Sequence, residues 1–276
     1  MFVNCIICNI IEVTIRIVYL LNLIMNPEFI LSNYQQVRSL DNKQRTFLYS
    51  AKDGQLPDII IKVATKDEIR GHRMINHLLD EDPTLPFIRT LGFFSLSELN
   101  IEAPSRTTCF NNQECLVMPR VKGICLMDLM KENLPQLDFI HIIHEVFKAL
   151  PKRWNLPTDK FEHVIEDMQK YHIEVGSHQM FAWLEPTWSG DVIIDWDSQN
   201  RKAKQVTFID YSYDVDHATT PNELYLNFLE CELDFCDEDS NETYINFVNG
   251  LVQHCTNNEF TYNQVLDYLQ QMLKHN

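Results

Sequence analysis

A lysine lies inside an apolar stretch of the chain. Residues 58–64 read Asp-Ile-Ile-Ile-Lys-Val-Ala, and this run of β-forming residues predicts a buried strand that contains Lys62. Burying an ammonium group without a partner costs several kcal/mol, so a carboxylate is expected beside it. Glu68 is the candidate, because the helix predicted from Thr65 places it shortly after the strand. The alternative is that Lys62 lies at a sheet edge and points to water.

Three carboxylates near a predicted hairpin are the other candidates for chemistry. Asp191 opens the predicted strand 191–195, and Asp210 closes the predicted strand 206–210. Glu185 precedes a proline, which favours an extended conformation, and a flexible loop could bring it inward. A carboxylate at a strand end beside phosphates can hold Mg²⁺, which prefers oxygen ligands. The alternative for Asp210 is an aspartate that caps a turn.

The remaining pattern predicts five strands and one helix, followed by a mostly helical region. Alternating or continuous apolar residues predict strands, and apolar residues spaced by three or four predict helices. The strands of the first part are predicted over 36–40, 46–49, 58–64, 87–96 and 114–121, with a helix from Thr65 that ends before Pro83 and Pro86. The helices of the second part are predicted over 126–130, 139–150, 161–168, 224–233, 244–254 and 262–273, around the hairpin of 191–195 and 206–210. This order is typical of an α+β protein in two lobes, with a hinge near 121–123.

These elements set the predicted domain boundaries. Residues 1–26 are an apolar N-terminal extension, 27–121 form the first lobe, and 122–276 form the helical second lobe with its β-hairpin. Because a Glu and an Arg interrupt residues 1–24, membrane association through this segment is not favoured. The alternatives are a weak anchor, an added helix packed on the body, or an extension upstream of initiation at Met25.

The order of these pieces resembles the protein-kinase-like fold, which also includes aminoglycoside and choline phosphotransferases. The resemblance covers roughly residues 36–212. Residues 58–64 look like the family's third strand, whose lysine holds the α- and β-phosphates of ATP. Lys62 would take that role, and Glu68 that of the helix glutamate that pairs with it. The resemblance implies an α+β, two-lobed protein-kinase-like fold with a five-stranded N-lobe and a reduced helical C-lobe.

Two further segments carry the resemblance. Residues 115–126 look like the strand, gatekeeper, hinge and following helix of a kinase, with Met118 at the gatekeeper position. The next residue is a proline without an N–H, so Val121 would offer the hinge N–H to adenine. Residues 206–212 look like the strand that ends in the metal-binding Asp-Phe-Gly motif, with Asp210 as its aspartate. The resemblance therefore implies ATP and Mg²⁺ as cofactors.

The catalytic loop matches the family in two registers. If Ser-Gly-Asp at 189–191 stands for His-Gly-Asp, then Asp191 is the catalytic base, and its spacing to Asp210 suits the family. If 191–195 stands for Asn-Ile-Leu-Ile-Asp, then Asp191 replaces the metal-binding asparagine and Glu185 is the nearest candidate base. Spacing favours the first register and strand patterning favours the second. In both registers Asp191 faces the metal site.

The sequence also departs from the family in ways that bear on activity. The turn at 41–43 has no glycine where the family has a glycine-rich loop, no His-x-Asp motif occurs, and only 66 residues follow Asp210. One hypothesis is an ATP/Mg²⁺-dependent phosphotransferase that transfers the γ-phosphate to a hydroxyl group of a protein or small molecule. The alternative is a pseudokinase, a binding or scaffold module without turnover. A third interpretation is an unrelated α+β interaction protein.

Composition excludes several classes of protein. The formal net charge of −16 argues against a protein held by nucleic-acid phosphates or by an anionic membrane. No Lys or Arg lies between Lys204 and Lys274, which predicts a solvated acidic face or a basic partner. Eight scattered cysteines are typical of reduced thiols, so an intracellular, cytoplasmic protein is expected. His141 and His144 share a helix face without a carboxylate at ligand spacing, which favours a structural role.

Overall fold

The computed structural model describes residues 26–40, 45–102, 114–154, 191–209, 225, 228–230, 233 and 240–275. The protein is mixed α+β, as predicted, and it divides into two compact units. The first unit contains the chain up to Asn76 together with Arg89–Arg120, and the second contains His77–Ile88 and the chain from Val121 onward. Within the described ranges, no helix is both long enough and apolar enough to span a membrane.

The first unit is built on a five-stranded antiparallel sheet, which confirms the five predicted strands. The strands are β1 (Tyr34–Ser39), β2 (Thr46–Ala51), β3 (Ile59–Val63), β4 (Gly92–Ser95) and β5 (Glu114–Pro119), in the order β1-β2-β3-β5-β4. Helix α1 (Pro27–Asn33) precedes them, and helix α2 (Lys66–Glu81) follows β3 in the chain. Asn26 caps α1, because its side-chain oxygen accepts a hydrogen bond from the Phe29 N–H at 2.8 Å.

The two faces of this sheet differ in character. Ile59, Ile61 and Val63 of β3 belong to one buried apolar cluster with residues of β2 and β5. Side chains alternate along a strand, so Ile60 and Lys62 lie on the opposite face. Strand β3 lies between β2 and β5, so its backbone is paired on both sides. The lysine is therefore at the centre of the sheet, and the alternative of a lysine at a sheet edge is wrong.

The second unit combines a three-stranded sheet with helices. Its elements are β6 (Ile124–Cys125), α3 (Leu126–Leu129), α4 (Gln136–Trp154), β7 (Val192–Asp197), β8 (Lys202–Phe208), α5 (Glu242–Asn257) and α6 (Tyr262–His275), and the sheet order is β6-β7-β8. Phe139 and Phe147 of α4 are at most 1% exposed. The Phe147 ring centroid lies 6.2 Å from that of Tyr262 and 6.0 Å from that of Phe228. Burial of these aromatic side chains joins α4 to α6.

The predicted strand 87–96 is wrong at its start, because pairing in the five-stranded sheet begins only at β4. Phe87 instead forms a parallel bridge with Phe208 of β8. The Phe208 N–H donates to the Pro86 carbonyl at 2.8 Å, and the Ile88 N–H donates to the Phe208 carbonyl at 3.2 Å. The apolar run is continuous in sequence, yet its backbone groups are satisfied in two different units.

The sequence pattern does not predict β6. Its two residues pair with Ile194 and Ile193 of β7, and a strand of two residues is too short to show a periodicity. Several other predictions lie outside the described residues. These are the extension before Asn26, the helix at 161–168, most of the helix at 224–233, and the candidate site residues Glu185 and Asp210.

Gly123 is expected to tolerate no side chain. Its φ is +142°, and a Cβ there would lie 2.5 Å from the Ile194 carbonyl oxygen. We expect Gly123→Ala to lower the free energy of unfolding in urea by about 1–3 kcal/mol. Gly250→Ala is the control, since Gly250 lies within α5 and its Cβ position is open space. This control should raise the free energy of unfolding by about 0.5–1 kcal/mol. Equal effects of the two substitutions would contradict the assigned backbone conformation.

Candidate functional site

The predicted ion pair between β3 and α2 is present. The Lys62 Nζ lies 2.8 Å from the Glu68 Oε1, and the two side chains are 10% and 8% exposed. A buried pair adds little net stability over an apolar replacement, but removing one partner leaves an uncompensated buried charge. Glu68 therefore holds the Lys62 ammonium group in a fixed position on the face of the sheet opposite the apolar cluster.

Glu68 has a second role at the start of α2. Its Oε2 accepts a hydrogen bond from the Thr65 N–H at 2.5 Å, and its own N–H donates to the Thr65 hydroxyl oxygen at 3.2 Å. Thr-x-x-Glu with this reciprocal bonding is a capping box, which satisfies two N–H groups at a helix start. The motif is present in the sequence and was a usable signal for the helix boundary. One carboxylate thus serves both the helix end and the lysine.

The register of the sheet brings Met118 to the face that carries Lys62. Met118 of β5 pairs with Ile60, and Leu116 pairs with Lys62. Residues directly opposite each other on neighbouring strands point to the same face. Met118 is 4% exposed and Leu116 is fully buried. The cation therefore lies beside an apolar strip, an arrangement that suits a ligand with a flat apolar part and an anionic part.

The end of β5 is anchored by Arg120. Its N–H donates to the Asp58 carbonyl at 3.0 Å, and its guanidinium group lies 2.9 Å from the Asp58 carboxylate. A hydrogen bond from Ser50, together with Arg120, lowers the pKa of the Asp58 carboxyl. Val121, the candidate hinge donor, is half-buried and is the residue at which the chain re-enters the second unit. The chain is thus fixed at the residue before Val121.

Asp191 is half-buried and lies immediately before β7. Its carbonyl oxygen accepts a hydrogen bond from the Ile209 N–H at 2.9 Å, so Asp191 lies at the end of the hairpin where β8 finishes. Asp210 follows Ile209 in sequence, but Asp210 and Glu185 lie outside the described residues. Of the three candidate carboxylates, the structure places one, at the predicted end of the hairpin.

Asp195 is engaged in a surface ion pair. Alternation along β7 puts it on the same face as Asp191 but about 13 Å further along the strand. The Asp195 Oδ1 lies 3.6 Å from the Nζ of Lys122, whose side chain is 83% exposed. An ion pair this exposed contributes little to stability. Because of the separation along the strand, Asp195 and Asp191 do not form one cluster.

The surroundings of Asp191 include a neutral thiol. Burial raises the pKa of the Cys125 thiol, and the charges of Asp128 and Asp191 raise it further. Within the part of the chain that the structure describes, which leaves out Asp210, no group of three or more His, Cys, Asp or Glu side chains could hold a metal ion. Asp191 is thus the described member of the predicted metal pair.

The two histidines of α4 have different surroundings. His141 is half-buried, and the His144 Nδ1 lies 3.3 Å from the Glu145 carboxylate with its side chain 14% exposed. Burial lowers the pKa of His144, although the adjacent Glu145 opposes this shift. The neutral form is therefore the one that the fold accommodates.

Acidification is expected to destabilise the protein through His144. Its folded pKa is lowered, so below about pH 6.5 the unfolded chain takes up a proton that the folded chain resists. The contribution of neutral His144 to the free energy of unfolding is complete above the pKa of this histidine in the unfolded chain. It is lost as the pH falls through the lower pKa of His144 in the folded chain. We expect His144→Gln to show a smaller loss of unfolding free energy between pH 7 and pH 5 than the wild type. His275→Gln, at the exposed end of α6, is the control and should behave like the wild type. An unchanged pH dependence in His144→Gln would contradict this assignment.

Among the predicted site residues, Lys62, Glu68 and Met118 lie together in the first unit, and Asp191 lies at the hairpin end of the second. Comparison of the chain with models of known protein families gives no match, and comparison with curated proteins gives none either. What the protein does must therefore be inferred from its own residues.

Proposed function

We propose that the chain is a two-lobed member of the protein-kinase-like superfamily that acts as an ATP/Mg²⁺-dependent phosphotransferase. The observation that carries this proposal is the buried Lys62–Glu68 pair, with 2.8 Å between Nζ and Oε1, which joins a central strand to the helix that follows it. An ammonium group oriented by a carboxylate is suited to donate hydrogen bonds to phosphate oxygens. Within the described part of the chain, Cys115, Cys125 and Cys255 are free thiols, which supports an intracellular, cytoplasmic location.

The nucleotide is bound by residues in β3 and β5 and in the segments that follow these strands. Lys62 contacts the α- and β-phosphates, and Glu68 holds Lys62 in position. Met118 provides an apolar surface for the adenine ring, and the Val121 N–H donates to the ring. The shared face of Lys62 and Met118 supports this division of tasks, because one strand pair then offers both a cation and an apolar contact.

Phosphate transfer depends on the carboxylates of the hairpin. Asp210 and Asp191 would hold Mg²⁺, and the ion would neutralise charge on the phosphates. Because β7 starts directly after Asp191, the register in which Asp191 replaces the metal-binding asparagine is the better supported one. Glu185 then accepts the proton of the acceptor hydroxyl, and in the other register Asp191 does so. The acceptor is a hydroxyl group of a protein or of a small molecule.

A pseudokinase, which binds partners without turnover, is the second candidate. The capping box favours it, because the Glu68 carboxylate is held by the Thr65 N–H without any need for a nucleotide. The Lys62–Glu68 pair can thus persist in a protein that has lost catalysis. The absence of glycine from residues 41–43, where the family has a glycine-rich loop, and the missing His-x-Asp motif support the same candidate.

A thermal-shift titration with ATP, with and without Mg²⁺, tests nucleotide binding. A ligand at 100 times its Kd adds about 2.7 kcal/mol to stability, so Tm should rise, and rise further with Mg²⁺. In Lys62→Met the rise should be lost relative to that variant's own ligand-free Tm. Lys66→Met is the matched control, because Lys66 is an exposed lysine at the start of α2, and it should keep the full rise.

The outcomes separate the candidates. A rise in Tm that Lys62→Met abolishes, accompanied by transfer of phosphate, supports the phosphotransferase. The same rise without any turnover supports the pseudokinase. No rise in the wild type, or an equal rise in Lys62→Met, refutes the nucleotide site and leaves the unrelated α+β interaction protein.

A further inference from the structure

A groove in the second unit takes no part in the proposed nucleotide chemistry. It has a volume of about 280 Å³ and lies between α4 and the outer edge of β8. Its apolar lining consists of Pro86, Ala149, Ala203 and Val206. One wall is formed by α4 and the other by β8, and each wall carries charged side chains. The mixture of apolar and charged groups along a strand edge indicates a binding surface for an extended chain.

The backbone of β8 faces this groove at Val206. The N–H and carbonyl groups of Phe208 bond to Pro86 and Ile88, on the side away from β7. Because the direction of these groups alternates along a strand, those of Val206 two residues earlier also point away from β7. If the bridge between Phe87 and Phe208 continued, residue 86 would donate its N–H to the Val206 carbonyl. Pro86 has no N–H, so this short parallel pairing ends there, and among the described residues no backbone donor bonds to the Val206 carbonyl.

Lysines stand on both walls of the groove. Lys148 of α4 and Lys204 of β8 line it, and their side chains are 53% and 54% exposed. The Lys148 Nζ lies 2.9 Å from Glu145, which also lines the groove, and the Lys204 Nζ lies 2.8 Å from Asp197. Because each ammonium group has three N–H donors and each lysine side chain is about half exposed, both lysines can contact a second carboxylate while they keep these pairs.

Two lysines line this groove although the chain has a net charge of −16. Lys148 lies in α4, and Lys204 lies in β8. The register of β7 and β8 passes over Lys204, which makes it the extra residue of a β-bulge. A bulge redirects a side chain, and here the redirected side chain is a lysine that lines the groove.

We propose that this groove binds an extended segment of a partner protein in which acidic and apolar side chains alternate. The main chain of the segment pairs with Val206 as an added strand. Its apolar side chains contact Ala149 and Val206, and its carboxylates contact Lys148 and Lys204. A strand has a period of two, so alternation presents one kind of side chain to the apolar lining and the other to the lysines. This inference does not depend on nucleotide binding.

Fluorescence anisotropy with a labelled peptide of twelve residues, alternating Glu and Val, tests the proposal on the full chain. Saturable binding that weakens as salt is raised is the expected result. A Lys-Val peptide of equal length should not bind, and a Glu-Val peptide that is N-methylated at every second residue should bind at least tenfold more weakly. No binding of the Glu-Val peptide, or equal binding of the Lys-Val peptide, would overturn the proposal. Displacement of the Glu-Val peptide by a short DNA duplex at lower concentration than by unlabelled peptide would instead show a nucleic-acid surface and also overturn it.

Two variants locate the binding. Ala149→Trp fills the groove, and the double variant Lys148→Glu with Lys204→Glu reverses the charge on its walls. Each should weaken binding of the Glu-Val peptide at least tenfold, whereas Lys66→Glu, a matched charge reversal on α2 of the first unit, should leave the affinity unchanged. Hydrogen exchange on the wild-type chain provides a test that needs no variant, because the Val206 amide should exchange at least tenfold more slowly with saturating peptide. Unchanged exchange at Val206, or an equal loss of affinity in Lys66→Glu, would refute the assigned site.

Discussion

Phosphate transfer from ATP is expected to fall at least about 100-fold in Asp191→Ala and in Asp210→Ala. Phosphoryl transfer depends chiefly on positioning and on electrostatic stabilisation, so loss of either of the two carboxylates proposed to bind Mg²⁺ should remove a large part of the catalytic effect. The measurement is the rate of ADP formation at saturating ATP and Mg²⁺ with each purified variant. Asp267→Asn, a change of one carboxylate in α6, is the matched control and should keep the wild-type rate.

Glu185→Gln separates the two registers of the catalytic loop. If Asp191 replaces the metal-binding asparagine, Glu185 is the leading candidate for the carboxylate that reaches the acceptor hydroxyl, and its substitution should slow transfer by about 100-fold or more. If Asp191 is itself the base, Glu185→Gln should be close to the wild type. A rate that none of the three substitutions changes would refute the mechanism, and ATP binding without turnover in the wild type would leave the pseudokinase.

Replacing Lys62 is expected to destabilise the first unit strongly. Lys62→Met leaves the Glu68 carboxylate buried without its cation, and breaking a buried pair in this way costs about 3–5 kcal/mol of unfolding free energy. Urea denaturation gives this free energy directly. Lys66→Met is the control on the exposed first turn of α2, and its effect should stay within about 0.5 kcal/mol.

A second substitution shows whether the cost comes from the Glu68 charge that has lost the Lys62 cation. Glu68→Gln in the Lys62→Met background removes the charge, and glutamine can still accept the Thr65 N–H in a capping box. The double variant should therefore recover most of the stability lost in Lys62→Met. Glu68→Leu removes the cap as well, so it should recover less by about 0.5–2 kcal/mol. A Lys62→Met variant as stable as the wild type would show that the buried pair carries no such cost.

Part of the candidate site could be predicted because its signals are local. The partner of Lys62 followed from the cost of a buried ammonium and from a helix predicted to start at Thr65, three residues later, and the structure contains that pair. The place of Asp191 followed from where a strand begins. The Thr-x-x-Glu pattern at 65–68 indicates the capping role of Glu68. Together with the need of a buried Lys62 for a carboxylate, this pattern predicts both roles of Glu68 from the sequence.

The sequence was sufficient for the elements whose stability depends on neighbours within a few residues. The buried strand around Lys62, the start of α2 and the amphipathic helices α4, α5 and α6 all follow from short-range spacing, and all are present. Tertiary structure was needed wherever one segment had to choose between distant partners. It paired β6 with β7, and it paired Phe87 with Phe208 although the sequence pattern had placed Phe87 in the same strand as β4. It also placed Lys62 on the sheet face opposite the apolar cluster of β3. Strand periodicity states which side chains share a face but not which strand supplies the hydrogen bonds. That choice depends on register between segments far apart in the chain.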